Sequence, residues 1–447
     1  MDKLYEILEK SGASDFLIRE TTTCSREAFF IGQKLDMGRA KKVTHTFVTV
    51  YVDSEDGKFR GSATKEIHPT STPEEMEKEI RSALFAAKFV KNPWYPVVSG
   101  TKAGEAETEA GDMDEELVRI IKTLQAVRTE ADEKVNSYEI FVNRKKTHIR
   151  NSKGVDVSFS SGDDETELVI NVKKDGHEIE LLREITFSGE NVDRITEEAG
   201  KLFVSGHDRL DAKPTTQQEH GAVLLTGDDV VTFFRYFTAH TNASNQYMGV
   251  AKARIGEKMT GEEADPLTIR LVPAMEGSTR KEPYDSDGNP VTECLLFEDG
   301  ICRNFWGSTQ HAYYMKMENT TSMNNAIVSG GTMTEAELRK IPHLEITEFS
   351  CFDMDPVSGT FGGEIRLGYE SDGKTRQAVT SGSLSGNYGK VLKNMKFSKE
   401  TRQINNFIVP CAVLLEDVSI AGCWQYSGGR KSDLSEWTYS PLQVSMR

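Results

Sequence analysis

The chain has 447 residues, with 54 Lys and Arg against 70 Asp and Glu, a formal charge of −16 and 37% hydrophobic residues. At roughly 150 residues per domain this length implies two or three domains with a sizeable core, and the composition excludes wholesale disorder and coiled-coil architecture. The acidic balance repels phosphate backbones and anionic lipid, so neither nucleic acid nor a membrane is expected as a direct partner.

Residues 2–11 open the chain with Leu4, Ile7 and Leu8 at helical spacing, stopped by Ser11-Gly12-Ala13-Ser14. Charges run through this segment and it lacks the apolar region of a signal peptide, so export is not expected. No apolar run approaches the 18 residues or so of a membrane span. Six cysteines (Cys24, Cys294, Cys302, Cys351, Cys411 and Cys423) are scattered without a CxxC pair, which predicts reduced thiols in a cytoplasmic protein.

Strands are predicted from Asp15, over Thr44–Val52 and over Phe59–Glu66, the last two joined by the turn Ser54-Glu55-Asp56-Gly57-Lys58. Thr72-Pro73-Glu74-Glu75 supplies an N-cap, a first-turn proline and first-turn acids for a helix to about Val90. Residues 102–115 contain almost nothing that can be buried and read as a solvated connector. A helix is then expected over Asp114–Lys134. Strands follow over Tyr138–Asn143, Val155–Ser160, Glu165–Val172 and Glu178–Phe187, and a helix over Asn191–Phe203.

Helix, strands, helix thus occurs twice before residue 212. Lys213-Pro214-Thr215-Thr216 leads into a Gly- and Thr-rich region of short strands. The expected fold is α+β: two similar helix and antiparallel-sheet units (1–101 and 114–212), then a larger, mainly antiparallel β domain with few helices (213–447). Trp424, Tyr426, Trp437 and Tyr439 in the tail 423–447 suggest docking onto the body or a partner, or an extra strand pair.

Gly368-Tyr369-Glu370-Ser371-Asp372-Gly373-Lys374-Thr375 fits the phosphate-loop pattern, but Glu364–Tyr369 and Thr375–Thr380 alternate like strands around turn residues. A hairpin is expected there, not a nucleotide site. Gly382-Ser383-Leu384-Ser385-Gly386 misses a nucleophile elbow because its centre is Leu384. No H-E-x-x-H occurs. Thr226-Gly227-Asp228-Asp229 reads as a capping box with Thr226 at the N-cap, opening a helix on which Val230, Phe233, Phe234 and Phe237 form one apolar face. Arg235 lies opposite, while Tyr236 and His240 flank the stripe. The helix is either a core element with a snorkelling arginine or one whose polar edge faces a cleft.

From this helix onward the sequence resembles the TldD/PmbA family, long labelled modulators of DNA gyrase. The resemblance is carried in order by Gly221–Gly227, by Asp285-Ser286-Asp287-Gly288-Asn289-Pro290 and by Leu295–Gly300. It continues through Ser322-Met323-Asn324-Asn325-Ala326, Gly359-Thr360-Phe361, Gly368-Tyr369, Leu384-Ser385-Gly386-Asn387, Val391–Met395, Val409-Pro410 and Asp417–Gly422. Zinc-bearing members carry H-E-x-x-x-H on the helix and a cysteine before the closing strands. Here Arg235 and Tyr236 stand at the first His and the Glu, His240 keeps the second His, and no Cys stands in Thr401–Asn405.

The resemblance implies the metal-free PmbA/TldE branch. No catalytic residue, metal ligand or cofactor is then expected in this chain, zinc being confined to a TldD-type partner. It also implies a peptidase subunit that binds extended peptides, with Arg235, Tyr236, His240, Asn324 and Asn325 near the groove. Two alternatives are a homodimeric peptide-binding or scaffold protein without enzymatic activity, and a cryptic hydrolase with ligands from His240, His311 and a cysteine.

Overall fold

The computed structural model describes residues 1–100, 111–189, 192–318 and 321–422; the tail aromatics, Cys423 and most of the 102–115 connector lie outside them. The first unit runs α1 (Asp2–Glu9), β1 (Asp15–Ile31), β2 (Lys34–Asp53), β3 (Phe59–Ile67), α2 (Pro73–Ala87) and a short β4 (Asn92–Pro93). The second runs α3 (Met113–Gln125), β5 (Glu133–Asn151), β6 (Asp156–Lys174), β7 (His177–Phe187) and α4 (Arg194–Asp211). Among the described residues their strands form one antiparallel sheet, ordered β4-β3-β2-β1-β5-β6-β7. The helix, strands, helix order does occur twice. The seam between the units is β1 against β5, from Leu17 opposite Asn151 to Ile31 opposite Ser137.

Alternation assigns the two faces of this sheet. Phe16, Ile18, Val48 and Val50 pack with Leu4, Leu8 and Ile80 of α1 and α2. Ala28, Phe30, Ile140, Val142 and Leu168 pack with Ile120, Leu124, Ile195 and Leu202 of α3 and α4. All four helices therefore cover one face. The other face, which includes Arg19, Thr21, Lys145 and Thr147, looks toward the C-terminal domain.

The capping box at α2 forms as the sequence predicts: Thr72 Oγ1 accepts from Glu75 N–H, and the Glu75 carboxylate accepts from Thr72 N–H at 2.8 Å. The predicted helix over Asp114–Lys134 ends instead at Gln125, and β5 starts at Glu133. The predicted strands Val155–Ser160 and Glu165–Val172 are one strand, β6, because residues between them stay in register with β5 (Ser161 with Lys145, Asp164 with Val142).

The C-terminal domain starts with β8 (Lys213–Pro214), β9 (Gln218–Leu225), α5 (Val230–His240), α6 (Ala243–Tyr247), β10 (Ile269–Val272), β11 (Cys294–Glu298) and β12 (Ile301–Cys302). It continues with α7 (Thr309–Tyr314), β13 (Asn325–Val328), α8 (Glu335–Leu338), β14 (His343–Asp355), β15 (Thr360–Ser371), β16 (Arg376–Thr380), β17 (Ser383–Asn387) and α9 (Tyr388–Val391). It closes with β18 (Lys396–Phe397), β19 (Thr401–Ile404), β20 (Phe407–Pro410) and β21 (Val413–Ala421). One sheet follows β14-β9-β21-β17-β15-β16-β8, and because β14 also pairs with β15 the path closes on itself. A second follows β12-β11-β10-β13-β20-β19. α5 is buried between them, its Phe233, Phe234 and Phe237 fully covered.

β15 and β16 form the expected hairpin, with Ser371 opposite Arg376 and Gly373 at φ +87°. No helix follows the lysine, so the phosphate-loop pattern is turn chemistry. Among the described residues no helix is long and apolar enough to cross a membrane.

Candidate functional site

The helix signal at 226–229 needs one correction. The N-cap of α5 is Asp229, without a side-chain cap bond, rather than Thr226. Thr226 Oγ1 instead donates to the buried Glu345 carboxylate at 2.8 Å, and Gly227 lies so close to β14 that a Cβ there would sit 2.2 Å from the Thr347 carbonyl oxygen. The helix thereby starts three residues later than the capping pattern suggests. Burial, with Asp228 beside it, raises the Asp229 carboxyl to about 6.

On α5 the apolar stripe is buried, and so are Tyr236 and His240; Arg235 is exposed, its guanidinium 5.6 Å from the Phe407 ring centre. Tyr236 stacks on Tyr388, the first residue of α9, with ring centres 3.7 Å apart and planes 3° from parallel. Tyr388 Oη donates to the Phe233 carbonyl at 3.0 Å. Burial pushes the Tyr236 phenol up to about 12, so it stays protonated at neutral pH.

His240 packs edge-on against Tyr236, and its Nδ1 accepts from Lys252 N–H at 3.0 Å. Burial first, then the Lys252 charge, lowers its pKa to about 4. The ring is therefore neutral with its proton on Nε2, and that buried Nε2–H has no partner among the described residues. The 401–405 segment carries Arg402, which donates to the carbonyls of Thr226 (2.6 Å) and Gly227 (2.8 Å) at the entrance of α5.

Asn324 and Asn325 lie apart from this cluster, at the start of β13. Asn325, fully buried, accepts from Ser278 Oγ and donates to the Arg280 carbonyl at 2.8 Å. Asn324 donates to the Glu282 carbonyl at 2.7 Å, so the pair pins the 273–282 segment. Asn324 also lines a cavity of about 480 Å³ between the polar face of the N-terminal sheet and the C-terminal domain, with Arg19, Phe47, Tyr284, Asp287 and Trp306. Trp306 ties this cavity to α5, since its indole N–H donates to the Thr238 carbonyl at 2.8 Å. His311 sits on α7 among Tyr247 and Tyr314.

The donor set does not fit a catalytic zinc, which takes three protein ligands. Arg235 is a cation, Tyr236 a protonated phenol clamped in a stack, and His240 offers no free lone pair: Nδ1 accepts a backbone hydrogen bond and Nε2 holds the proton. Among the described residues no three His, Cys, Asp or Glu side chains converge.

Residues 218–422 match the family model of the PmbA/TldA metallopeptidase C-terminal domain. Over this range the chain is similar to the C-terminal domain of the TldD/PmbA family. Three solved structures share the fold over 94% of this chain. TldE from Thermococcus kodakarensis is 18% identical, wholly covered, with a TM-score of 0.75. A candidate modulator of DNA gyrase from Thermotoga maritima is 19% identical, 99% covered, with a TM-score of 0.74. A candidate modulator of DNA gyrase from Bacteroides thetaiotaomicron is 14% identical, 98% covered, with a TM-score of 0.74. No curated protein matches. The fold shared with these structures thus extends through the N-terminal sheet, beyond the residues that the family model matches.

Tyr388, Lys252 and Gly359 complete the surroundings of Tyr236 and His240, and sequence reading missed them. Tyr388 directly follows the Leu384–Asn387 segment that carries the family resemblance, but no local periodicity links it to a helix 155 residues upstream.

The neutral imidazole makes a pH prediction. Its folded pKa, about 4, lies below the unfolded value of 6.5, so its contribution to stability is complete above pH 6.5 and is lost as pH falls toward 4. The stability gap between the wild type and His240→Gln should shrink by about 3 kcal/mol across that window, measured by urea unfolding at pH 7.5 and 4. Asp164 and Asp229, both raised to about 6, run the other way but cancel between the two proteins. A gap independent of pH would mean that the ring is charged or hydrated in the fold.

Proposed function

We propose that this chain is a PmbA/TldE-like subunit of a TldD/PmbA-type peptidase, non-catalytic by itself, that binds extended peptides and acts in proteolysis or peptide maturation with a zinc-bearing TldD-type partner. The observation that carries the proposal is α5: it holds Arg235 and Tyr236 at the positions of the family's first His and Glu, and its single imidazole has neither nitrogen free to ligate. An open strand edge supports the peptide-binding part. From Lys34 to His45 β2 pairs with β1 on one side, while β3 joins only from Thr46 onward, so among the described residues the outer main-chain groups are free to add a strand.

The five described cysteines are unpaired, as in a reducing cytoplasm. The charge of −16 disfavours a direct role on DNA.

The test is purification of this chain with and without a zinc-bearing TldD-type protein from the same host. Zinc content and cleavage of denatured casein peptides are then measured. The expected result is cleavage that needs both chains, with zinc in the partner alone. Stoichiometric zinc and stand-alone cleavage by this chain would overturn the proposal. Cleavage by the partner that this chain leaves unchanged would favour a homodimeric scaffold.

A further inference from the structure

Three side chains from separate segments meet over Gly359, in the turn between β14 and β15. A Cβ built on Gly359 would lie 3.0 Å from Lys252 Nζ, 3.5 Å from Tyr236 Oη and 3.9 Å from Asn387 Nδ2. With φ at +77° the glycine keeps this space clear, and a side chain would fill it. All three groups are donors, and among the described residues none has found an acceptor. Lys252 is exposed and forms no ion pair among the described residues. Asn387 spends its oxygen on Gly389 N–H at 2.8 Å, which leaves its amide hydrogens unused.

Asp355, the carboxylate of the same turn, feels the Lys252 charge, but it accepts from Val357 and Ser358 N–H and lies beyond ion-pair distance of Lys252. The donors are held in advance of any ligand: Tyr236 by its stack on Tyr388, Asn387 by its cap bond, and Gly359 by Tyr388 N–H, which donates to its carbonyl at 2.8 Å. One cation with two neutral donors about one point suits a singly charged group with two acceptor oxygens. A phosphate would call for more positive charge.

We propose that Lys252, Asn387 and Tyr236 form a carboxylate-binding site that anchors a peptide by its C-terminal carboxylate or by an acidic side chain. The assignment rests on the peptide-binding reading above and adds the chemical group recognised. It puts the anchor on the flank of α5, beside the buried His240, so that a peptide held there runs past the helix.

Equilibrium dialysis of the full chain against random N-acetylated tetrapeptides tests it. Three pools are used: free acids, C-terminal amides, and amides ending in glutamate. Free acids should be retained about tenfold more than plain amides. Lys252→Met should bring the ratio to about one, and Asn387→Asp, which keeps the cap acceptor but replaces the donor with a negative charge, should bring it below one. Glutamate amides retained like free acids assign the site to any carboxylate; retained like plain amides, they assign it to the chain end. Equal retention of acids and amides by the wild type would overturn the carboxylate site and leave peptide binding standing. Retention of none of the pools would overturn both.

Discussion

Replacing Arg60 by leucine should cost the protein about 3 kcal/mol, the expected result of breaking a buried ion pair from one side. Arg60, on β3, is 2% exposed and donates to Asp15 (2.8 Å) and through two nitrogens to Asp53 (2.6 and 2.9 Å), among the rings of Tyr51, Trp94 and Tyr95. Leucine keeps only the packing of the apolar stem, loses the guanidinium contacts with the rings, and strands Asp15, itself 3% exposed, with Ser152 and Lys153 as its remaining side-chain partners. Those two place the loss at the lower end of the range for such pairs. Arg60 also holds the Asp53 carboxyl below the usual range. That share of the stability is complete above the unfolded pKa near 4 and is lost as pH falls through the folded value. Urea unfolding followed by circular dichroism reads the effect. A loss under about 1 kcal/mol would show that Lys153 alone satisfies Asp15.

Tyr388→Ala should be worse, about 4 kcal/mol, because it empties a site enclosed by Tyr236, Phe233 and Phe361 with ring centres 3.7, 5.0 and 5.3 Å away. Tyr388→Phe, which loses only the bond to the Phe233 carbonyl, should cost about 1 kcal/mol. Calorimetric melting of the two variants separates packing from hydrogen bonding. Equal losses would mean that the phenol oxygen, not the ring, anchors α9 to α5.

Elements whose cause is local were legible in the sequence. The α2 capping box needs Thr72 and Glu75 and nothing else, and the β15–β16 hairpin follows from its turn residues. β1 and β2 run longer than alternation suggests because, between the two helix pairs, Thr22, Cys24 and Arg26 on the helix side of β1 are no more apolar than Thr21, Thr23 and Ser25 on the other, so the segment does not alternate as a half-buried strand should. The N-cap of α5 was misread because the acceptor for Thr226 is 119 residues away. The burial of Tyr236 and His240 depends on Tyr388 and on the Lys252 amide, contacts that no helical wheel contains. Of the proposed site residues, the wheel placed Arg235 on the exposed side, while Asn324 and Asn325 owe their place to carbonyls of the 272–282 segment.

The β1–β5 seam bears on how the N-terminal half is assembled. Each unit alone would present a long strand edge whose main-chain groups have no internal mate, so neither is a self-sufficient folding module. A backbone nick between α2 and α3 should therefore leave two fragments that stay associated and that, made separately, find each other in solution. What unites the halves there is the ladder of hydrogen bonds across the seam and not the covalent link.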